Sequence, residues 1–535
     1  MQVDAFLEAS ARLFPEKVAL VCGDRRLTYR EIDATANHLA LGLQDLGVRR
    51  GDRVVIHLEN SVEAVLSIFA TLKAGGVFVA VSASTKAEKL AYILNDCQAA
   101  ALITDGRWQQ ALSRTWEEAP RLPATVVVGR PDDRLRSQAP GRLAWFDTLA
   151  TGDEPGRRPT VRGIDLDLAA LVYTSGSTGV PKGVMLTHLN MVTAATSITS
   201  YLENTPHDVI LNVLPLSFDY GLYQLLMAFK VGGRLVLERS FAYPAAILDT
   251  IEREQVTGLP VVPTIAVLLL RQDLAPDRFA SLRYLTNTGA ALPPSHIAEL
   301  RGRLPHVRLY SMYGLSECKR VSYLPPEELD RRPGSVGRPM DNVEVFVVDE
   351  GGNRLTSGTG ELVVRGSNVM LGYWGLPEET ARALRPGILP GERLLYTGDI
   401  FRIDEEGFLY FLSRKDDVLK CGGQKVSPKE IENVIYELPG VIGTVVVGVP
   451  DSLLGQAVKA VVVADPKAGL TERDIARHCS QRLEGFMVPK VVQFVDSLPS
   501  TASGKLDRKE LQAQAMENGS VHATLGTRTP TRDAT

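Results

Sequence analysis

Short apolar segments that alternate with segments of helical period constrain the fold more than any other feature of this sequence. The segment 53-RVVIHL-58 predicts a buried strand, residues 62–75 predict a helix that ends at glycine, and 77-VFVAVS-82 predicts another strand. A helix at 87–96 and a strand at 100–105 continue the alternation. Strands separated by helices in this way favour a parallel sheet with crossover helices.

A second stretch of the chain repeats this alternation. Residues 208–262 again predict strands and helices in turn, so the chain has two similar α/β halves. Helical period is also present over residues 27–45, near the N-terminus. From about residue 340, short strands separated by glycine and acidic turns predict a smaller β-rich unit.

The last part of the chain has a third pattern, with helices and strands that predict a compact α+β module. The predicted fold class is α/β, with a large N-terminal domain over 1–414 that contains two α/β subdomains and the β-rich subdomain. A small α+β domain is predicted over 415–515. The polar, threonine-rich tail over 516–535 is predicted to be disordered.

Composition excludes several classes of protein. The 535 residues suggest about three structural units. A net charge of −4, with no dense run of lysine and arginine, gives no sign of a nucleic-acid partner. The five cysteines form no CxxC pair, which favours reduced thiols in the cytoplasm over a disulfide framework or a zinc site. No apolar segment approaches about 18 residues, so no membrane span is expected.

The segment 173-YTSGSTGVPKG-183 is the strongest local signal of function. Its glycines allow positive φ angles and close backbone approach, so that successive N–H groups can converge on an anion. The loop follows the apolar run 168-LAALVY-173, as a phosphate-binding loop after a strand does. A flexible linker is the alternative for any loop rich in serine and glycine, and Lys182 and the preceding strand argue against it.

This loop resembles the phosphate loop of the adenylate-forming superfamily, which includes acyl-CoA synthetases, free-standing amino-acid adenylation domains and luciferase-like enzymes. Further segments match motifs of that superfamily in order, namely 289-GAAL-292, 313-YGLSE-317, 334-GSVGRP-339, 360-GELVVRG-366, 396-YTGD-399, 412-LSRKDDVLKCGGQKVSPKEIE-432 and 498-LPSTASGKLDR-508. Because the matches span residues 173–508, the chain is identified as a member of the superfamily.

The resemblance implies a reaction in two steps. The carboxylate of a small-molecule acid or amino acid attacks the α-phosphate of ATP, and a thiol then displaces AMP from the acyl-adenylate to give a thioester. ATP and Mg²⁺ are the implied cofactors. The thiol belongs to CoA or to the phosphopantetheine of a separate carrier protein, because the residues after Leu511 are too few for a fused carrier domain.

By resemblance, three groups of residues bind the nucleotide. The phosphate loop supplies Thr174, Ser175, Gly176, Ser177, Thr178, Gly179 and Lys182. The YGLSE motif supplies Tyr313 to stack on adenine, Gly314 beside it, Ser316 to contact the α-phosphate and Glu317 to hold Mg²⁺. The adenine slot and the ribose contacts are assigned to Gly289, Ala290, Ala291, Asp399 and Arg414.

The C-terminal domain carries residues that the resemblance assigns to the two steps. Lys505 matches the lysine that bridges the carboxylate and the α-phosphate, where a cation offsets the repulsion between two anions. A solvated surface position is the alternative for this lysine. Asp416 matches the hinge about which the small domain rotates between the steps. Gly423 is then expected to line the thiol tunnel, with an ordinary turn as the alternative.

Two interpretations of Asp219 leave the acid open. The segment 215-PLSFDYGLYQLL-226 corresponds to the substrate-pocket helix of the superfamily, and Phe218 matches its aromatic gate. Amino-acid-activating members commonly carry an aspartate at the position of Asp219, which pairs with the α-ammonium of the substrate. A cationic partner is physically sensible because a buried unpaired carboxylate is costly. Alternatively, Asp219 caps the helix that starts near Tyr220.

Further pocket positions complete the sequence-based hypothesis. By resemblance these are Tyr223, Thr286, Thr288, Met312, Arg320 and Val321. In the run 318-CKRVSY-323, Lys319 or Arg320 either meets a second polar or anionic group of the acid or has a structural role.

The assignments predict an AMP-forming acid–thiol ligase that transfers an amino acid to a separate carrier protein. The bulk of the pocket tyrosines favours a small amino acid. A CoA ligase for a fatty or other organic acid is the alternative. A non-catalytic relative that binds a nucleotide is a third hypothesis, and the presence of Glu317, Asp399, Arg414 and Lys505 argues against it.

Overall fold

The protein is described by a computed structural model. The structure describes residues 1–130, 132–152, 157–161, 163–175, 180–415, 417–421, 424–451, 455–499 and 507–517. Within these residues, the chain divides into two compact units, the first over residues 1–411 and the second from Leu412 onward.

Strands of the described residues are numbered in chain order. They are β1 Val18–Cys22, β2 Arg25–Thr28, β3 Arg53–His57, β4 Val77–Val81, β5 Ala101–Asp105, β6 Ala124–Val128, β7 Arg142–Trp145, β8 Leu168–Ser175, β9 Pro181–Thr187, β10 Val209–Asn212, β11 Arg234–Leu237, β12 Gly258–Val261, β13 Tyr284–Asn287, β14 Arg308–Tyr313, β15 Ser322–Leu324, β16 Arg338–Pro339, β17 Val343–Val348, β18 Arg354–Leu355, β19 Gly358–Gly366, β20 Gly372–Tyr373, β21 Leu384–Pro386, β22 Arg393–Ile403, β23 Leu409–Arg414, β24 Leu419–Cys421, β25 Gln424–Val426, β26 Val441–Asp451, β27 Gly455–Ala464 and β28 Val491–Phe494.

Helices are numbered in the same way. They are α1 Ala5–Leu13, α2 Tyr29–Asp45, α3 Val62–Lys73, α4 Ala87–Asp96, α5 Gln109–Glu118, α6 Asp133–Gln138, α7 Phe146–Ala150, α8 His188–Tyr201, α9 Asp219–Val231, α10 Pro244–Glu254, α11 Pro263–Leu270, α12 Pro294–Arg303, α13 Pro377–Ala383, α14 Pro428–Tyr436, α15 Glu472–Ser480 and α16 Arg508–Glu517. In the described part of the chain, none of them combines the length and the apolar character needed to cross a bilayer.

Two large sheets form the frame of the first unit. One has the order β16-β15-β14-β13-β12-β10-β11-β1-β2 and the other the order β20-β9-β8-β4-β3-β5-β6-β7. Neighbouring strands from β1 to β14 in the first sheet, and from β8 to β7 in the second, are parallel. The two α/β subdomains predicted from the alternating pattern are therefore confirmed.

The largest buried cluster includes helices that pack with both sheets. Phe69 of α3 stacks on Phe229 of α9 with ring centroids 5.2 Å apart, and Tyr29 of α2 meets Phe229 edge-on at 5.3 Å. Burial of each of these rings stabilises the fold by about 1.5–3 kcal/mol. The Tyr29 hydroxyl donates to the carbonyl oxygen of Gly233 at 2.7 Å, so its polar atom is satisfied inside the core.

A third, antiparallel sheet forms the predicted β-rich subdomain. Its order is β18-β17-β19-β22-β21, and β23 also pairs with β22. The division between the two compact units falls inside β23. The domain boundary expected from the sequence, after residue 414, lies at the end of the same strand.

The second unit is the predicted α+β module. Its sheet has the order β25-β24-β27-β26, with β28 paired to β27. Side chains of α14 and α15 pack with one set of strand residues that includes Val446, while side chains of α16 pack with Val445 and Val447. Since successive residues of a strand point to opposite faces, the helices cover both faces of this sheet.

Three local features differ from the sequence-based predictions. Residues 516 and 517, which were placed in the predicted tail, belong to α16, and the rest of that tail lies outside the described residues. The helix expected over residues 27–45 begins at Tyr29, because Leu27 belongs to β2 and the Thr28 hydroxyl accepts from the backbone N–H of Glu31 as an N-cap. After the glycine-rich loop, the chain forms strand β9, which pairs antiparallel with β8. The strand before the loop was predicted, and the one after it was missed.

Candidate active site

The carboxyl ends of four neighbouring parallel strands create the site. Strands β10, β12, β13 and β14 lie side by side in the nine-stranded sheet. The loops that follow β10, β13 and β14 carry the PLSFD, GAAL and YGLSE segments, respectively. Ligands of α/β proteins bind at this edge of a parallel sheet because the loops from adjacent strands converge there.

A narrow cavity lies between these loops. Its lining consists of Ile198, Phe218, Asp219, Tyr220, Tyr223, Thr288, Gly289, Gly314, Leu315, Lys319 and Arg320. The open volume is about 20 Å³, which is small. Five of the residues assigned to the acid by resemblance line this cavity, which we call the acid cavity, namely Phe218, Asp219, Tyr223, Thr288 and Arg320.

The other residues assigned to the acid lie buried close by. The carbonyl oxygen of Thr286 accepts a hydrogen bond from the Tyr220 hydroxyl at 2.7 Å. Met312 of β14 and Val321, just before β15, are also buried. Gly289 and Gly314, which were assigned to the nucleotide, also line the acid cavity. Ile198 of α8 was missed, since nothing in its local sequence distinguishes it from a core residue.

Asp219 was expected either to pair with an α-ammonium of the substrate, which stays a prediction, or to cap α9. The N-cap position is instead Phe218, which makes no side-chain cap hydrogen bond. Asp219 is the first residue of α9, and its Oδ1 atom accepts from the backbone N–H of Tyr220 at 3.0 Å. Its Oδ2 atom lies 3.9 Å from the Nζ atom of Lys319. The carboxylate therefore serves the start of the helix and also faces a cation supplied by the protein itself.

Burial shifts the pKa values of two further groups in the cavity. It raises the pKa of the Tyr223 phenol well above its ordinary value, and the nearby Asp219 carboxylate adds to the shift, so the hydroxyl stays protonated. That hydroxyl has no hydrogen-bond partner among the described residues. Burial also lowers the pKa of the Lys319 ammonium, while the carboxylates of Asp219 and Glu317 oppose the shift.

Glu317 is held beside the cavity by a residue that the sequence did not single out. The Tyr373 hydroxyl donates to the Oε1 atom of Glu317 at 2.8 Å. The ammonium of Lys182 lies 5.7 Å from the centre of the Tyr373 ring and forms an ion pair with Glu379. The structure thus brings Lys182 close to the tyrosine that orients Glu317, and the contacts of both residues with phosphates stay predictions.

A second pair joins the residues assigned to adenine and ribose. The Tyr313 hydroxyl donates to the Oδ2 atom of Asp399 at 2.6 Å, and the Tyr313 ring meets Phe401 edge-on at 4.7 Å. Asp399 is 2% exposed. The two motifs, which are far apart in sequence, are therefore adjacent in the fold, and their contacts with the nucleotide stay predictions.

Several assigned residues lie elsewhere in the fold or outside the described residues. Thr174 and Ser175 end β8, Ser316 is half-buried next to Glu317, and Ala290 and Ala291 follow β13. Arg414 ends β23 in the second unit. The residues outside the described ranges are Gly176, Ser177, Thr178, Gly179, Asp416, Gly423 and Lys505, and their roles remain predictions.

The Tyr373→Phe substitution tests how Glu317 is held. Loss of a hydrogen bond to a carboxylate costs about 1.5–3 kcal/mol, so we expect the Mg²⁺ concentration for half-maximal adenylation to rise by about 10- to 150-fold. The measurement is pyrophosphate exchange as a function of Mg²⁺ concentration. Tyr243→Phe is the matched control, because Tyr243 is 80% exposed. An unchanged Mg²⁺ dependence in Tyr373→Phe would contradict the assigned role of Glu317.

The fold and the site together define a class, the adenylate-forming acid–thiol ligases. The chain belongs to the AMP-binding enzyme family, whose model matches residues 7–374. The model of the AMP-binding enzyme C-terminal domain matches residues 430–505. The superfamily assignment made from the motifs is confirmed.

Individual relatives match over nearly the whole chain. The long-chain-fatty-acid–CoA ligase of Bacillus subtilis (strain 168) is 32% identical over 96% of this chain and 95% of its own length. The crystal structure of ATP-bound MatB from Rhodopseudomonas palustris has a TM-score of 0.84 and 30% identity, over 96% of this chain and 99% of its own. The anthranilate CoA ligase AuaEII, in complex with anthranoyl-AMP, has a TM-score of 0.84 and 28% identity, over 97% of this chain and 98% of its own.

Proposed function

We propose that this protein activates an organic acid with ATP and transfers the acyl group to the thiol of CoA. One observation carries the proposal. A single loop, from Gly314 to Arg320 at the carboxyl end of β14, carries Glu317 and also lines the acid cavity. An acid in the cavity would thus meet phosphates bound next to Glu317. Relatives named as CoA ligases, one of them with an acyl-AMP bound, support the same chemistry.

The proposed reaction balances in two steps. A carboxylate oxygen attacks the α-phosphorus of ATP, and the bond from that phosphorus to the bridging oxygen breaks, so pyrophosphate leaves with the electron pair. The sulfur of CoA then attacks the acyl carbon, the bond to the AMP oxygen breaks, and the thiol proton passes to solvent. Most of the work of the protein in the first step is to position two anions and offset their repulsion.

The residues of the site fit a magnesium ion held together with the nucleotide. Among the described residues, no group of three or more histidine, cysteine or acidic side chains converges to form a metal site made of protein alone. Glu317 offers a carboxylate of the hard-oxygen type that Mg²⁺ prefers, and phosphate oxygens and water would complete the shell. When bound, the ion would neutralise charge on the phosphates, and Tyr373 would keep Glu317 oriented towards it.

An amino acid as substrate, with a separate carrier protein as acceptor, is the second candidate. The observation in its favour is Asp219, a carboxylate in the wall of the acid cavity. Lys319, at 3.9 Å, already supplies this carboxylate with a cation, so an α-ammonium would have to compete with it. We therefore place CoA-dependent activation of an organic acid first. The cytoplasmic location remains a prediction from the cysteine pattern.

Pyrophosphate exchange tests the proposed function directly. The full chain is incubated with ATP, Mg²⁺ and labelled pyrophosphate, together with sets of monocarboxylic, dicarboxylic, aryl and amino acids. We expect exchange with at least one set and, after addition of CoA, formation of a thioester. A thioester that forms only on a carrier protein would favour the second candidate, and absence of exchange with every acid would overturn both.

A further inference from the structure

The acid cavity contains more positive than negative side chains. Three charged residues line it, namely Asp219, Lys319 and Arg320. All are well buried: the side chains of Lys319 and Asp219 are 2% and 13% exposed, and Arg320 is 4% exposed. The nearby carboxylate of Glu317 is not part of the lining and bonds to Tyr373. Two cations thus face one carboxylate in a site from which water is largely excluded.

Both cations have unused hydrogen-bonding capacity. The Nζ atom of Lys319 has no hydrogen-bond partner among the described residues, since its 3.9 Å separation from Asp219 is an ion-pair distance beyond hydrogen-bond length. The Nε atom of Arg320 also has none there, and its guanidinium lies 5.4 Å from the centre of the Tyr220 ring. Buried donors of this kind are costly unless a ligand completes them.

The backbone is shaped to present these two cations. Lys319 has a φ of 65°, a left-handed conformation that costs a residue with a side chain about 1 kcal/mol or more. The buried amide of Asn368 fixes the loop on both sides, since its Nδ2 atom donates to the carbonyl oxygens of Cys318 at 2.7 Å and Arg320 at 2.8 Å. The placement of Lys319 and Arg320 is therefore imposed by the fold.

A purely structural ion pair accounts for only part of this arrangement. Asp219 faces Lys319, whereas Arg320 has no carboxylate within 4.0 Å among the described residues. A neutral amino acid would bring a third cation into the same space. An anion would instead approach Lys319 and Arg320 and use their free donors.

We propose that the acid activated by this protein is a short dicarboxylic acid, whose second carboxylate binds to Lys319 and Arg320 while the first reacts with ATP. This inference rests on the proposed function and specifies its substrate class. The narrow cavity favours a short chain between the two carboxylates. Acidic amino acids carry the same pair of carboxylates and an added ammonium that Asp219 would face.

Matched acids and variants test this proposal. Pyrophosphate exchange is measured with succinate against butyrate, adipate against hexanoate, and glutamate, aspartate and alanine. We expect kcat/KM for a dicarboxylate to exceed that for its matched monocarboxylate by about 100-fold, because a charge-assisted pair is lost in the latter. Lys319→Met and Arg320→Met should each reduce this ratio by about tenfold, chiefly through KM for the dicarboxylate.

Two further variants separate binding from folding. Asp219→Asn combined with Lys319→Met removes the ion pair without leaving a buried carboxylate unmatched. This double variant should still lose the preference for the dicarboxylate over its matched monocarboxylate. Lys89→Met changes an exposed lysine of α4, and this variant should keep the preference for the dicarboxylate. The proposal is overturned if the wild-type protein prefers butyrate, hexanoate or alanine, or if the lysine and arginine variants that fold keep the full preference.

The same experiment distinguishes failure of this inference from failure of the proposed function. Exchange with monocarboxylates or neutral amino acids, but not with dicarboxylates, leaves acid activation in place and overturns only the substrate class. Preference for glutamate or aspartate over succinate supports the second-carboxylate site and assigns Asp219 to the ammonium. Absence of exchange with every acid overturns the proposed function, and this inference falls with it.

Discussion

Replacement of Lys505 by alanine is expected to lower the rate of acyl-adenylate formation by about 100- to 1,000-fold. The reason is electrostatic: a carboxylate and a triphosphate repel each other as they meet, and a cation between them stabilises the transition state more than the separated reactants. The measurement is pyrophosphate exchange with saturating ATP and acid. Lys467→Ala is the control, since this lysine of the second unit is exposed and lies outside the motifs.

The two half-reactions distinguish a direct role of Lys505 from a general loss of structure. When preformed acyl-adenylate and CoA are supplied, Lys505→Ala should form the thioester at a rate within a few-fold of the wild-type rate. This expectation follows from the proposed mechanism, in which the lysine acts where the two anions meet. Equal losses in both half-reactions would contradict the assignment.

Gly314→Ala is expected to disrupt the site by a backbone collision. A Cβ atom at position 314 would lie 2.0 Å from the carbonyl oxygen of Lys319, and a backbone atom cannot move aside as a flexible side chain can. Relief of this overlap must shift the loop that carries Glu317, Lys319 and Arg320. We expect adenylation to fall by about 100-fold, since displacements near 1 Å have effects of this size. The free energy of unfolding should fall by about 1–3 kcal/mol.

Gly302→Ala provides the matched control for this substitution. Gly302 lies within α12, and a Cβ atom there would meet nothing within 4 Å. Alanine should therefore leave adenylation unchanged and raise stability slightly, because glycine is the poorer helix former by about 1 kcal/mol. Thermal unfolding and pyrophosphate exchange are measured on both variants. Wild-type activity in Gly314→Ala would show that the loop tolerates a different conformation.

The alternating pattern predicted the two parallel sheets because buried strands and amphipathic helices follow from local periodicity. Three of the motifs lie in loops after parallel strands, which meet at one edge of the sheet, and their roles stay predictions. The missed strand β9 and the shortened start of α2 are failures of another kind. Strand β9 pairs with β8, and β2, which takes the place of the first residues of the expected helix, pairs with β1. Each structure depends on pairing with a neighbouring strand, which the local pattern of one segment does not show.

The sequence by itself determined the class of enzyme, and its ordered motifs predicted the residues of the acid and nucleotide sites. The tertiary structure alone decided which side chains act on each other: Lys319 faces Asp219, Tyr373 holds Glu317, and Tyr313 bonds to Asp399. The physical reason is that periodicity and motifs are local properties of the chain. Hydrogen bonds and ion pairs between distant segments exist only once packing has brought those segments within a few ångströms.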